Sequence, residues 1–208
     1  MNVPRLVLAS SSPARRKLLA AGGIDAEVMV SGVDESTVES TRPEALSLVL
    51  ARMKAEAVAE RLRNTGRGDE PLVVLGCDSV LAFNGSILGK PADAAEATRR
   101  WESMRGGSGV LHTGHCLVDL RTGSRSEGDA ATVVHFADVS DAEIAAYVAT
   151  GEPLHVAGAF TVDGIGAPFV THIEGDQGTV VGLSMPLLRT LLARLGIQIT
   201  DLWRTGPH

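Results

Sequence analysis

The sequence predicts an α/β fold, a central sheet with helices packed against it, on three observations. Residues 5–9 (RLVLA) form a short apolar run that stops at Ser10-Ser11-Ser12-Pro13 and gives way to helix-forming residues, the layout of strand, turn and helix. Residues 72–75 (LVVL) are apolar without interruption, which suits a strand buried on both faces. Segments 41–44, 93–96 and 140–143 each read Ser/Thr/Asp-x-x-Glu before a helical pattern, and these capped helices alternate with strand-like runs.

Taken in order, the first helix spans 13–21, with Ser12 as N-cap, Pro13 as its first residue and Gly22-Gly23 as its stop. Arg15 and Arg16 lie in its first turn, where the helix dipole disfavours cations. An anion held there by free N–H groups and the hydroxyls of Ser10 and Ser12 would offset that cost. The plainer alternative is a capped helix with solvated arginines. A second strand is expected over 26–30, then a loop with Asp34 and Glu35. Those acids either stay solvated or hold a divalent cation through oxygen ligands. The next helix runs to about residue 63, with Leu46, Val49, Leu50, Met53 and Ala57 as its apolar stripe and Arg52, Glu56 and Glu60 outward. Lys54 falls beside that stripe, in the row Leu46, Leu50, Lys54, Val58; its ammonium either snorkels along an apolar surface or enters a cleft.

Asp78 follows the strand 72–75 and the small residues Gly76 and Cys77. A carboxylate there is costly to ionise unless something pairs with it. Asn84-Gly85 is a hairpin turn between runs 80–83 and 86–88, and the hairpin is expected to return Lys90 toward Asp78. A helix through Met104 should bury Ala97, Trp101 and Met104; strands over 110–120 and 126–136 and a helix from Ser140 to Thr150 follow. Residues 151–182 are glycine-rich, which suggests bulges and close backbone approach to a ligand, with Asp163 and Glu174 as notable acids. His155 and His172 read as lone histidines in structural roles. Ser184 opens a last helix through Leu195, and the tail after Asp201 is expected to fray.

The net charge of −6 argues against a nucleic-acid binder, which needs a basic face. No apolar run reaches the ~18 residues of a membrane span. The start of the chain has no room for a targeting peptide, and Cys77 and Cys116 lack metal-ligand spacing, so the expectation is a cytoplasmic protein with two buried thiols. Of 19 basic residues, only Lys17, Lys54 and Lys90 are lysines; arginine supplies the rest of the positive charge, so each lysine stands out as a chosen residue type. Cations with helix amides suit a polyphosphate, and a lone carboxylate among them suits activation of water or Mg²⁺ binding. No Ser-His-Asp set, GxxxxGK[ST] loop or GxGxxG fingerprint is present. The residues therefore support metal-assisted hydrolysis at a phosphate.

LASSSPARRKLL, the helix Lys54, GCDSV, GKP, GEPLHVAGAF and VVGLSMPLL occur in that order over about residues 5–195. The ordered set resembles the Maf (septum-formation) family of nucleoside triphosphate pyrophosphatases. The resemblance implies one domain over 1–208 with its core at about 5–195. The fold it implies has a mixed central sheet flanked by helices, in two lobes around a cleft, of the inosine triphosphatase type. It implies hydrolysis of a nucleoside triphosphate to monophosphate and pyrophosphate, a divalent cation (Mg²⁺ or Mn²⁺), a homodimer, and a role in clearing non-standard nucleotides or restraining cell division. The alternatives are a nucleotide-binding division regulator without turnover and a nucleotidyltransferase. By the same resemblance Ser10 and Arg15 bind phosphate, Lys54 and Lys90 are phosphate lysines, Glu35 is a metal or active-site acid, and Asp78 is the proton acceptor. Ala14 stands where the family has an arginine, and Asp163 where dTTP/UTP-type members have glutamine, which bears on the choice of base.

Overall fold

The computed structural model describes residues 4–38 and 40–203. Seven strands form one mixed sheet in the order β2-β1-β3-β5-β6-β7, with β4 also on β3. Strand β1 (Arg5–Leu8) lies parallel to β2 (Glu27–Val28) and to β3 (Leu72–Phe83). The antiparallel strands are β4 (Ser86–Leu88), β5 (Ser108–Asp119), β6 (Arg125–Phe136) and β7 (Val170–Glu174). The α/β expectation holds, with helices on both faces of the sheet.

Strand β3 corrects one expectation. It runs unbroken for 12 residues, so Asp78 lies within a strand and not after one. The reason is β5, which pairs with β3 from Val73 to Ala82 and gives every small or polar residue between them a backbone partner. The other edge of β3 is divided. β1 lies along Leu72 to Leu75 and β4 along Leu81 to Phe83. Among the described residues no strand covers positions 76–80 on that side, which leaves a notch in the sheet.

Helix α2 (Pro43–Asn64) crosses β3 and β5 on one face. Its backbone rests on two glycines: a Cβ added at Gly76 would sit 2.1 Å from the Ala51 carbonyl, and one at Gly114 2.3 Å from that of Ser47. So close an approach admits only small residues, and the helix turns Ala51, Ala55 and Ala59 to the sheet. Of the expected stripe only Leu50 is buried; Leu46, Val49, Met53 and Ala57 are half-buried instead. The same rotation carries Lys54 under the helix.

The helix ends follow local chemistry with two exceptions. Ser12 caps α1 (Pro13–Ala21), and Ser140 with Glu143 forms both arms of a capping box on α4 (Asp141–Ala149). At α2 the expected box fails: Arg42 occupies the cap without a side-chain bond and pairs with Glu44 at 2.7 Å. At α3 (Ala94–Met104) Asp93 accepts from Glu96 N, but the Glu96 carboxylate goes to Ala92 N, one residue early. The glycine-rich stretch holds 3₁₀ turns, β7 and the short helix α5 (Gln177–Val181), none of them legible beforehand. Ser184 caps the last helix, α6 (Met185–Arg194).

Three cores result. Leu6, Leu8, Leu75 and Leu117 pack beneath α1 and α6, and Val7, Val74 and Cys116 pack beneath α2. Leu81, Phe83 and Val134 pack with α3 and α4 around Trp101, which is fully buried along with Ala97 and Met104 as expected. Trp101 meets Phe136, Tyr147 and Phe169 edge to face at 5.6–5.8 Å and donates its indole N–H to the Ala159 carbonyl at 2.7 Å. The expected second strand shortens to two residues. Leu202 is buried and Trp203 bridges Ile24, so the chain stays packed past Asp201; the rest of the tail expected to fray, residues 204–208, lies outside the described residues, as do residues 1–3 of the start that was expected to lack a targeting peptide. No helix among the described residues is long and apolar enough to cross a membrane.

Candidate active site

The notch in the sheet edge gathers most of the candidate residues. Asp78, 8% exposed, points to the α2 side, as alternation with Gly76 requires. There Lys54 Nζ donates to Asp78 Oδ1 at 2.5 Å and pairs with Glu35 Oε1 at 2.8 Å. The two loop acids divide their work: Asp34 accepts from Ser36 N and caps the 3₁₀ turn Glu35–Thr37, which leaves Glu35 free for Lys54. Burial pushes the Asp78 carboxyl above the usual carboxylate range, against the pull of Lys54 and Arg15. Asp78 Oδ2 and Glu35 Oε2 accept nothing from the described residues.

Arg15 approaches from the opposite face. It is 9% exposed and donates Nε to the Gly182 carbonyl (2.8 Å), Nη1 to Ser10 Oγ (3.1 Å) and Nη2 to Ser79 Oγ (3.2 Å). None of these partners carries charge. A buried guanidinium without a counterion is costly, and it sits in the first turn of α1, where the dipole adds to the cost. Ser10 Oγ also accepts from Ser12 N, and Ser12 Oγ from Arg15 N, so this turn is preorganised. Among the described residues no carboxylate forms an ion pair with Arg15; Asp78 acts on it only at longer range.

A supporting layer was missed in the sequence. Ser79 Oγ lies 2.9 Å from Thr113 Oγ1, which donates to the Thr179 carbonyl and so ties β3 and β5 to α5. His115, fully buried, accepts from Ser184 N at Nε2 (2.9 Å), which places its proton on Nδ1, toward the Thr113 carbonyl. Burial brings its pKa down to about 4. Only the pairing Cys77 opposite His115 and Ser79 opposite Thr113 reveals this layer, and pairing is invisible to local pattern.

Two candidates make no contact with the others. Lys90 is exposed and makes no hydrogen bond or ion pair with the described residues; pairing of β4 ends at Leu88, two residues short of it. Asp163 is exposed and touches no other candidate. The turn that carries it is held by Glu152, whose carboxylate accepts from Tyr147 Oη, Thr161 Oγ1, Ile165 N and Gly166 N. Desolvation opposes ionisation of Glu152, but these donors together hold its pKa below the usual range.

His155 is exposed, and Cys77 and Cys116 are free, buried thiols. His172 is not a lone histidine: with His135 and Glu174 it forms a possible metal-binding group, three donor atoms within 4.8 Å of one another. That group lies on β6 and β7, away from the notch. At the notch, Arg15 and Lys54 flank the strand edge from its two faces with a buried carboxylate between them. The arrangement suits a ligand of several negative charges and offers one group able to take a proton beside it.

Residues 5–195 match the family described as Maf-like protein. The chain is 66% identical over 202 residues to a protein of Salinispora tropica named nucleoside triphosphate pyrophosphatase, covering 97% of this chain and 88% of that one. A protein of the same name from Streptomyces coelicolor is 57% identical over 96% of this chain and 94% of its own length. One from Nostoc punctiforme is 49% identical over 98% of this chain and all of its own.

Proposed function

The chain belongs to the Maf-like protein family, and from that premise we propose that it is a nucleoside triphosphate pyrophosphatase, a hydrolase that yields nucleoside monophosphate and pyrophosphate. The observation that carries this reading is Arg15, a buried cation with only neutral partners, at the same strand edge as a buried Asp78.

In this reading Arg15, the hydroxyls of Ser10 and Ser12 and the first turn of α1 bind the phosphates. A phosphate oxygen competes for Lys54 Nζ and frees Asp78 to act as base. Asp78 takes a proton from water, the water oxygen bonds to the α-phosphorus, and the α–β bridging bond breaks with pyrophosphate as leaving group. Lys90, exposed and without an ion pair to the described residues, is assigned to the departing phosphates. Asp163 is assigned to the base, where an ionised carboxylate accepts hydrogen bonds and favours a base edge that donates them.

Glu35 and Asp78 are assigned to a hard divalent cation, Mg²⁺ or Mn²⁺: both carboxylates bond Lys54 Nζ through one oxygen, and each keeps a second oxygen that accepts nothing from the described residues. Such an ion, when bound, neutralises charge on the phosphates. Residues 5–195 are taken as one catalytic unit. The family resemblance supports a homodimer that clears non-standard nucleotides, and the cytoplasm is assigned because nucleotide pools reside there.

The test is product analysis over a panel of standard and modified nucleoside triphosphates with Mg²⁺ or Mn²⁺. Monophosphate and pyrophosphate in equal amounts are expected. Release of orthophosphate would contradict the bond assignment, pyrophosphate released only with an acceptor would indicate a nucleotidyltransferase, and tight binding without turnover a regulator.

A further inference from the structure

We propose that His135, His172 and Glu174 form a binding site for a late first-row divalent metal of the zinc class, distinct from the notch. His135 on β6 stands directly opposite His172 on β7, and Glu174, two residues on, shares the face of His172. The imidazoles stack with centroids 3.9 Å apart and planes 10° from parallel. Glu174 Oε1 lies 2.8 Å from His135 Nε2 and 4.0 Å from His172 Nε2.

The two distances to Glu174 bracket the spacing a metal needs, and all three donor atoms lie within 4.8 Å of one another. Zinc bonded at about 2.0–2.2 Å to nitrogen and oxygen in tetrahedral geometry sets its donors roughly 3.3–3.5 Å apart. A metal lies in the plane of each imidazole it binds, so closing the set turns the two stacked rings out of parallel about their side-chain torsions and leaves the fourth position to water. The chemistry is selective. Two imidazoles with one carboxylate suit Zn²⁺, Co²⁺ or Ni²⁺, whereas Mg²⁺ prefers oxygen donors alone.

The backbone supplies a second observation. The β6–β7 ladder shifts register between His135 and Phe136, a bulge of the kind that re-aims a side chain. Here it sits at the residue whose ring faces His172. Asp78 pairs with Gly114 and Gly114 with Asp129, six residues before His135 on β6, so the two sites lie about 20 Å apart along the strands. A metal at His135, His172 and Glu174 would staple the edge strand β7 to β6. Strand β7 leads through Gly175 and the cap Asp176 into α5, after which the Gly182 carbonyl holds Arg15. The staple therefore anchors one end of the segment that positions Arg15.

The test uses the full chain, stripped of metal with a chelator and titrated with Co²⁺ and Zn²⁺ in the absence of nucleotide. Wild type should show a visible Co²⁺ d–d spectrum, bleached by one equivalent of Zn²⁺ and unaffected by excess Mg²⁺, and Zn²⁺ should raise its melting temperature. His172→Ala and Glu174→Gln, both at exposed positions, should each weaken Co²⁺ binding by more than about tenfold and remove the thermal shift. Arg194→Ala, away from both sites, should leave both readouts unchanged. Wild type without a Co²⁺ spectrum, His172→Ala or Glu174→Gln binding as tightly as wild type, or loss of binding in Arg194→Ala would each overturn the assignment.

Discussion

Arg15 and Glu152 are both charged groups fixed beside a short turn, and they are satisfied in opposite ways. Glu152 draws four donors from the described residues, three onto Oε1 and one onto Oε2. Arg15 is buried more deeply, yet its hydrogen bonds go to two hydroxyls and a carbonyl, and it forms no ion pair among the described residues. A satisfied charge organises the chain around it, whereas an unsatisfied one waits for something from outside. By that criterion the Glu152 turn is scaffold and the notch is the candidate site.

The largest effect that sharpens this contrast is Asp78→Asn. Turnover should fall by about 10²- to 10⁴-fold, the range for loss of a general base, with triphosphate affinity within severalfold of wild type. In the metal-free protein without substrate, the Asp78 carboxyl followed by carbon-13 NMR should titrate above the ordinary aspartate value of 3.8, because burial raises it. Titration at or below that value would contradict the burial argument.

Next comes Gly76→Ala, which should break the notch and spare the Glu152 turn. The added methyl meets the Ala51 carbonyl at 2.1 Å and must push α2, with Lys54, off the sheet. We expect a loss of about 3 kcal/mol in urea unfolding, at the upper end for overpacking, and a larger fractional loss of activity than of stability. Unchanged stability would mean that α2 does not rest on that glycine.

His115 lies beneath the notch and gives a pH-dependent effect. It is neutral in the folded state with a pKa of about 4 against 6.5 unfolded. Between those values the unfolded chain binds a proton that the folded chain refuses, so stability drops as pH falls from 6.5 to 4, by about 3 kcal/mol in total. Urea midpoints measured across that window should fall for wild type and flatten for His115→Gln; equal slopes would contradict the burial argument.

Much of the notch was legible in the sequence because its parts are local. Ser12 and Pro13 start a helix on their own chemistry, Asn84 and Gly85 take positive φ (46° and 77°) in the hairpin turn, and Lys54 stands out among arginines. What was not legible depends on distant partners. The buried face of α2 is set by Gly76 and Gly114 on other strands, so ranking residues by hydrophobicity chose a stripe that is half-buried. Asp78 sits in mid-strand because β5 continues past it. The hairpin forms as expected, but its pairing stops at Leu88 and so does not by itself fix where Lys90 lies. His135 and His172 are far apart in sequence and meet only through register, so His172 read as solitary.

The measurement that tests the central claim most directly is Arg15→Gln beside Glu152→Gln, with inorganic triphosphate affinity and melting temperature read for both. The account predicts a double dissociation. Arg15→Gln should weaken triphosphate binding by about tenfold or more with its melting temperature kept or raised, since it removes a buried, unpaired cation. Glu152→Gln should lower the melting temperature, by the equivalent of about 1–2 kcal/mol, with triphosphate affinity kept. If Arg15→Gln instead destabilises the fold and binds triphosphate as wild type does, Arg15 is scaffold and the notch is not the anion site.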